Sequence, residues 1–422
     1  MDFKYLWKKI SSYMSMRDLH ASCARDAEED SSVNDGDGNQ LFRRAQETSF
    51  GAELLSADQM ERHGKILAHR HRVKSGHPRD SLLPMLDGNE KLLREAYAQL
   101  ADDAEAGRRI VPAGEWLLDN FHLIEDQIRT ARRHLPKGYS RELPYLTGVS
   151  PEEFPRVYDI ARETISHSDG RVDPENLVRF VESYLSVTPL KLGELWAIPI
   201  MLRLALIDNL RQVADRILAA RAYHNLAEYW ADQMIDVASQ DPKNLILPIA
   251  DMARSDPPMD VSFVAELTRR LQGRGAALAL PLTWMEQQLS ESGLTIEQCV
   301  RSENQRQTVD QASISNIIGS LRFLGAMDWP EFVEKMSIVE HVLTEDPAGI
   351  YRRMDFTTRD RYRHVVERIA KNSPFSEIDV ARTAIRLARE GAAERGVGDK
   401  TAHVGFYLID EGTARLERES GV

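Results

Sequence analysis

The sequence predicts an all-α protein: a multi-helix array of packed helical hairpins preceded by a disordered N-terminal leader. Three observations predict it. Helix-favouring Ala, Leu, Arg and Glu dominate, aromatics make up only 7%, and strand-like runs of Val, Ile and Thr are scarce. Apolar residues recur at intervals of three and four in one stretch after another. Prolines and N-cap sequences punctuate those stretches where helices begin and end. With 422 residues, 42% of them hydrophobic, the chain can bury one large core or several smaller ones.

Residues 1–40 form an amphipathic leader and an acidic linker. Phe3, Leu6, Trp7, Ile10 and Tyr13 fall at helical spacing with lysines opposite. That pattern suits a short helix that either lies on a membrane surface or packs on the body. Ala27 to Asn39 is acidic and rich in Gly, Ser and Asn, the composition of a disordered linker.

The region 41–240 carries the motifs WLLDNFH (Trp116–His122) and GELWAIP (Gly193–Pro199). A basic loop, His69 to His77, interrupts its first helical part. One helix is predicted over Pro112–Leu135, with Pro in its first turn and Leu117, Phe121, Ile124, Ile128 and Ala131 inward. Ser150-Pro151-Glu152-Glu153 reads as a capping box, and Asp173-Pro174 as the start of a helix burying Leu177, Phe180, Val181 and Tyr184. Thr188-Pro189 opens a long helix with the stripe Leu195, Ile198, Leu202, Leu206, Leu210, Val213 and Ile217. Pro199 removes the donor to the Leu195 carbonyl and should bend that helix.

The region 241–422 carries DPAGIYRRMDF (Asp346–Phe356) and continues the same grammar. Pro242 and Pro257-Pro258 break the run, and short helices are predicted over Asp260–Arg270 and Thr283–Leu289. Thr295–Gln298, Thr357–Asp360 and Ser376–Asp379 read as further caps, and one apolar stripe runs from Asp328 to Thr344. No fixed repeat period is present, but helix pairs joined by Pro-rich turns are able to stack as an irregular solenoid.

A net charge of −12 argues against general nucleic-acid binding. Cys23 and Cys299 are the only cysteines, a usage that fits a reducing compartment. The longest apolar run, Trp196 to Ile207, contains Arg203 and is too short to span a bilayer.

No phosphate loop, dinucleotide fingerprint, His-Glu-x-x-His or Cys-x-x-Cys motif is present, so no catalytic residue or metal ligand is assigned. One candidate polar pocket can be assembled. Glu115 and Asp119 lie a turn apart with Asn120 and His122 beside them, groups able to move protons or hold a metal. The competing reading is a polar helix side. Tyr139 and Arg141, in the loop Gly138–Pro144, either grip a ligand hydroxyl or phosphate or pin a turn. Glu194, Trp196 and Arg203 flank the bend, where Arg203 is a candidate donor to the freed carbonyl. All these residues would share one pocket if Pro112–Leu135 and Thr188–Ala219 pack side by side. A candidate interaction surface comprises Tyr351, Arg352, Arg353, Asp355, Arg359 and Arg361, with Arg363 nearby. It would meet phosphate from an anionic lipid or a nucleotide, unless the arginines pair with neighbouring acids. His69, Arg70, His71 and Arg72 read as an exposed polar loop.

Several of these segments resemble a known family. GEWLLDNFHLIEDQIR (Gly114–Arg129), GYSRELPYL (Gly138–Leu146), TPLKLGELWAIPIMLRLALIDNLR (Thr188–Arg211), DPAGIYRRMDFTTRDRYRHVVE (Asp346–Glu367) and HVGFYLIDEG (His403–Gly412) are similar to the N-terminal region of cyclic β-1,2-glucan synthases. The likeness runs from about Leu41 to the end of the chain. It implies a very large bacterial inner-membrane enzyme that polymerises glucose from UDP-glucose into a β-1,2 chain and cyclises it. The family's catalytic motifs have no counterpart here, so UDP-glucose and a divalent metal are implied only for a separate transferase domain. The resemblance implies the first, cytoplasmic part of such an enzyme at the inner membrane, either a fragment or a truncated product, and the abundant helix-packing motifs with no catalytic ones point to a helical scaffold or regulatory role for it. Its implied partners are the rest of the synthase polypeptide, above all the membrane glycosyltransferase domain, and inner-leaflet lipid, with no nucleic acid. The alternative is a membrane-surface or protein-interaction module acting alone, using Phe3, Trp7, Lys8 and Lys9 with the arginine-rich junction.

Overall fold

Ser56 opens the first described helix, α1 (Ala57–Arg70), through a capping box: its hydroxyl accepts from the Gln59 N–H while the Gln59 side chain accepts from its own. The computed structural model describes residues 54–74, 76, 80–147 and 154–422, so the readings of residues 1–40 and of Ser150–Glu153 lie outside it. Among the described residues the protein is all-α. The helices α2 (Leu82–Glu105), α3 (Pro112–Asp119), α4 (Phe121–His134) and the short α5 (Tyr139–Glu142) follow. Then come α6 (Arg156–Ser166), α7 (Pro174–Leu185) and the long α8 (Leu192–Gln240). The next are α9 (Ile246–Arg254), α10 (Val261–Leu271), α11 (Ala279–Glu291) and α12 (Ile296–Leu324). The series ends with α13 (Trp329–Met336), α14 (Ile338–Leu343), α15 (Phe356–Lys371), α16 (Glu377–Arg395), α17 (Val404–Ile409) and α18 (Thr413–Glu419). Two residue pairs form a minimal antiparallel ribbon, β1 (Val73–Lys74) against β2 (Tyr145–Leu146). No helix among the described residues is long and apolar enough to cross a membrane.

Side-chain chemistry explains where the helices depart from the apolar stripes. The helix predicted over Pro112–Leu135 divides at Asn120, whose Nδ2 donates to the Trp116 carbonyl at 2.9 Å and ends α3. The stripe from Asp328 to Thr344 divides at Ser337, which closes α13 and caps α14 by accepting from the Glu340 N–H. Asp355, not Thr357, caps α15: its carboxylate accepts from both the N–H and the hydroxyl of Thr358. The long helix starts at Leu192 and continues through Pro199. His69 and Arg70 belong to the last turn of α1 rather than to a loop. The caps at Asp173, Thr295 and Ser376 form where the sequence places them.

The chain divides into two compact units. The first comprises Asn89–Ile124 and Asn209–Asn316 among its described residues. Its core gathers Leu226, Trp230 and Met234 of α8 with Met252, Phe263, Leu267, Met285 and Cys299. Burial and the charge of Asp260 push the Cys299 thiol up to about 11, which makes it an inert packing group. The second unit comprises the described part of Glu53–Gly88 with Glu125–Asp208 and Ile317–Val422. There α1 lies against α7 so closely that a Cβ on Gly64 would sit 2.1 Å from Ser183 Oγ and 2.9 Å from the Phe180 carbonyl oxygen. Only glycine permits that approach. A second cluster in this unit packs Val339, Leu343, Tyr351, Tyr362, Val366, Val380, Ala384 and Tyr407.

Candidate functional site

The motif residues of the second unit build two polar braces. The first starts at the N-terminus of α8. Glu194 is fully buried, and Arg156 at the start of α6 meets it side-on: Nε donates to Oε1 at 2.9 Å and Nη2 to Oε2. The Lys191 N–H donates to Glu194 Oε2 at 3.0 Å, and Arg156 Nη2 also donates to the Pro189 carbonyl at 3.2 Å. One carboxylate thus fixes both the turn before α8 and the neighbouring helix. The network continues outward. The Arg156 guanidinium lies 6.0 Å from the Tyr184 ring centroid, the Tyr184 hydroxyl lies 2.9 Å from His71 Nδ1, and His71 Nε2 donates to Asp159 Oδ2 at 3.0 Å. His71, with a side chain 1% exposed, is therefore an interior residue and not part of an exposed loop. Burial opposes ionisation of Asp159, but His71 and Arg162 outweigh it and hold the carboxyl below its ordinary range.

The second brace is a ring of charges around the start of α15. Arg359 donates to Glu340 Oε1 at 3.0 Å and to Glu334 Oε2 at 2.9 Å. Arg363 closes the ring, with Nη1 at 3.1 Å from Glu334 Oε1 and 2.6 Å from Glu340 Oε2, while its Nη2 donates to Asp360 at 3.0 Å. Arg363 is fully buried and its guanidinium carbon lies 5.2 Å from the Phe356 ring centroid. The Tyr351 hydroxyl donates to Glu340 Oε2 at 2.7 Å, and burial together with that carboxylate pushes the phenol far above its usual range. Asp346, at the head of the same motif, accepts from the Ile350 and Tyr351 N–H groups. It also accepts from the Val404 N–H and from His403 Nδ1, each at 2.9 Å. The segments DPAGIYRR and HVGFYL are thereby locked together.

Glu115, Asp119, Asn120 and His122 lie in the first unit, where Glu115, Asp119 and His122 are exposed and Asn120 is the helix terminator. Tyr139, Arg141, Glu194, Trp196 and Arg203 lie in the second unit. Tyr139 is half-buried, and burial followed by the charges of Glu142 and Glu367 raises its phenol. Arg141 is exposed, while the adjacent Ser140 hydroxyl and Gly138 N–H both donate to Asp80. Trp196 stands edge-on to Phe356 at 6.2 Å. The Arg203 Nε donates to Gln127 Oε1 at 2.8 Å, and burial lowers its guanidinium, opposed by Asp126. Among the six arginine-junction candidates, Tyr351 is buried and Arg359 paired, while Arg352, Arg353, Asp355 and Arg361 face solvent. Sequence reasoning missed Arg156, Asp80, Glu334, Glu340 and Glu377. Their partners lie 11 to 185 positions away, beyond the reach of local pattern, and an isolated charged residue reads as surface.

Glu377 adds a titratable group to the first brace. At the start of α16 it accepts the Leu192 N–H at 2.9 Å, capping α8 from another helix. Burial, with Glu367 and Glu194 nearby, raises its carboxyl from 4.5 to about 7, against the Leu192 bond and Lys191. In this window the folded chain holds a proton that the unfolded chain has released. The contribution to stability is therefore full below 4.5 and is lost as pH rises to about 7. Glu377→Gln should flatten that decline. Urea unfolding of both proteins across the window checks it, and parallel pH profiles would refute it.

No family model matches the chain. Cyclic beta-(1,2)-glucan synthase NdvB of Rhizobium meliloti (strain 1021) is 33% identical over 335 residues, which cover 79% of this chain and 12% of that protein. The aligned stretch is narrower than the likeness read from Leu41 onward, and the chain spans only a small share of that relative's length. The chain is therefore a relative of the cyclic β-(1,2)-glucan synthases.

Proposed function

We propose that this chain is a helical scaffold region for cyclic β-(1,2)-glucan synthesis, docking on a membrane glycosyltransferase domain that takes glucose from UDP-glucose. The observation that carries the reading is the fate of the motif residues that resemble the synthases. Glu194, Tyr351, Arg359 and Asp346 direct their polar groups at Arg156, Glu340, Glu334 and the Val404 N–H, inside the protein. Groups so engaged brace a shape and do not approach a sugar nucleotide. The proposed setting is the cytoplasmic face of a bacterial inner membrane, with the glycosyltransferase domain as principal partner and inner-leaflet lipid as a secondary one.

Two measurements test this. Purified chain incubated with radiolabelled UDP-glucose should release no UDP and form no glucan, and turnover by the chain alone would overturn the scaffold reading. Supplied to membranes holding the Rhizobium meliloti synthase without its matching region, the chain should co-purify with the enzyme after detergent extraction and raise glucan output. Absence of co-purification would remove the docking claim.

A further inference from the structure

One cluster of metal-ligating side chains lies outside the two braces, in the second unit. His63 of α1 faces Glu163 of α6 and His167, which stands one helical turn beyond Glu163 at the end of that helix. His63 Nε2 is 2.8 Å from Glu163 Oε2, and His167 Nε2 is 3.4 Å from the same oxygen. The three ligand atoms all lie within 4.8 Å of one another. Around a tetrahedral Zn²⁺ with bonds of about 2.0–2.2 Å, neighbouring ligand atoms stand about 3.3 Å apart. Both imidazole nitrogens thus stand near that spacing from the Glu163 oxygen, and the trio needs only side-chain shifts to take three corners of such a site.

The surroundings hold these groups in place. The His63 ring stacks on Phe180 at 6.1 Å and stands edge-on to the His167 ring at 4.6 Å. Glu163 Oε1 lies 3.9 Å from Arg70 Nη2 and 3.7 Å from Arg162 Nη2, which orients the carboxylate and leaves Oε2 turned toward the imidazoles. The side chains of His63, Glu163 and His167 are 19%, 15% and 17% exposed, so an ion can enter and a water can complete its shell. Two imidazoles with one carboxylate select a borderline metal such as Zn²⁺ over Mg²⁺ or Ca²⁺, which take oxygen ligands. Sequence reading assigned no metal because His63 and Glu163 are 100 positions apart. The spacing of Glu163 and His167, which puts both on one helix face, was the available signal.

We propose that His63, Glu163 and His167 bind one Zn²⁺ ion through Nε2, Oε2 and Nε2, with water in the fourth position, tying α1 to α6. The test uses the purified full chain, stripped with chelator and titrated with Zn²⁺ by calorimetry and with Co²⁺ by visible spectroscopy. One equivalent should bind, and Co²⁺ should show the intense absorption of a four-coordinate ion. Glu163→Gln should weaken binding at least tenfold, and the His63→Gln/His167→Gln double variant should abolish it. His224→Gln, which alters another histidine beside a carboxylate (Glu303), should leave it unchanged. A wild-type chain that binds no Zn²⁺, or a double variant with unaltered affinity and stoichiometry, would overturn the proposal. If the double variant does not fold, the wild type still decides: Zn²⁺ should protect His63 and His167 from carbethoxylation, and equal modification with and without the ion would sink it.

Discussion

Arg363→Met should lower the unfolding free energy of the chain by about 3–5 kcal/mol, the cost of removing one member of a buried ion pair. The arginine is fully buried, and Glu334, Glu340 and Asp360 all direct oxygens at it. Methionine fills much of the volume, so lost packing is a minor part. The main cost is electrostatic: Glu340, itself 5% exposed, keeps Arg359 but loses its shortest cationic contact. A companion change separates charge from shape. In Arg363→Met/Glu340→Gln the leftover buried charge is gone, so the double variant should recover part of the loss. Denaturant unfolding of the three proteins measures it. A single-variant loss under about 1 kcal/mol would show that the ring contributes no more than an exposed pair.

Glu194→Ala should cost a similar amount, about 3–5 kcal/mol, for a related reason. It strips Arg156 of the one carboxylate that pairs with it among the described residues and frees the Lys191 N–H just before α8. Two penalties then act together: an interior guanidinium without its counter-charge, and a Lys191 N–H that has lost its acceptor, while Glu377 still holds the Leu192 N–H. Glu194→Gln should cost less, because the amide oxygen can still accept one of those bonds. Arg156→Met with Glu194→Gln should be better tolerated than the sum of the single changes predicts. Additive single changes would mean that the two side chains do not act as a unit.

Much of the fold was legible because it rests on local chemistry. Asp173-Pro174 and Ser376–Asp379 hold their own caps within three residues, so sequence alone locates those helix starts. The misread boundaries follow from competition at single polar residues. Asn120 turns its side chain onto the Trp116 carbonyl, and nothing in the apolar stripe across Pro112–Leu135 announces that. The candidate residues were less legible, since what a polar group does depends on its partner. Glu194 stands out in the GELWAIP motif, yet Arg156, 38 positions earlier, gives it its role. The sequence makes Arg203 a candidate donor to a carbonyl beside Pro199, yet its Nε donates to Gln127. His71 sits in a stretch rich in basic residues, and Tyr184 and Asp159 make it an interior residue.

The Asp346 carboxylate has a consequence for biosynthesis. Two of its donors, the Val404 N–H and the His403 ring, sit 58 and 57 positions downstream. While the chain is emerging from the ribosome, the turn after Asp346 can form, but its anion stays half-solvated until His403 and Val404 arrive. Closure of this part of the second unit is thus timed by translation of a distant segment, and a nascent chain stalled before residue 403 should remain open to protease around Asp346.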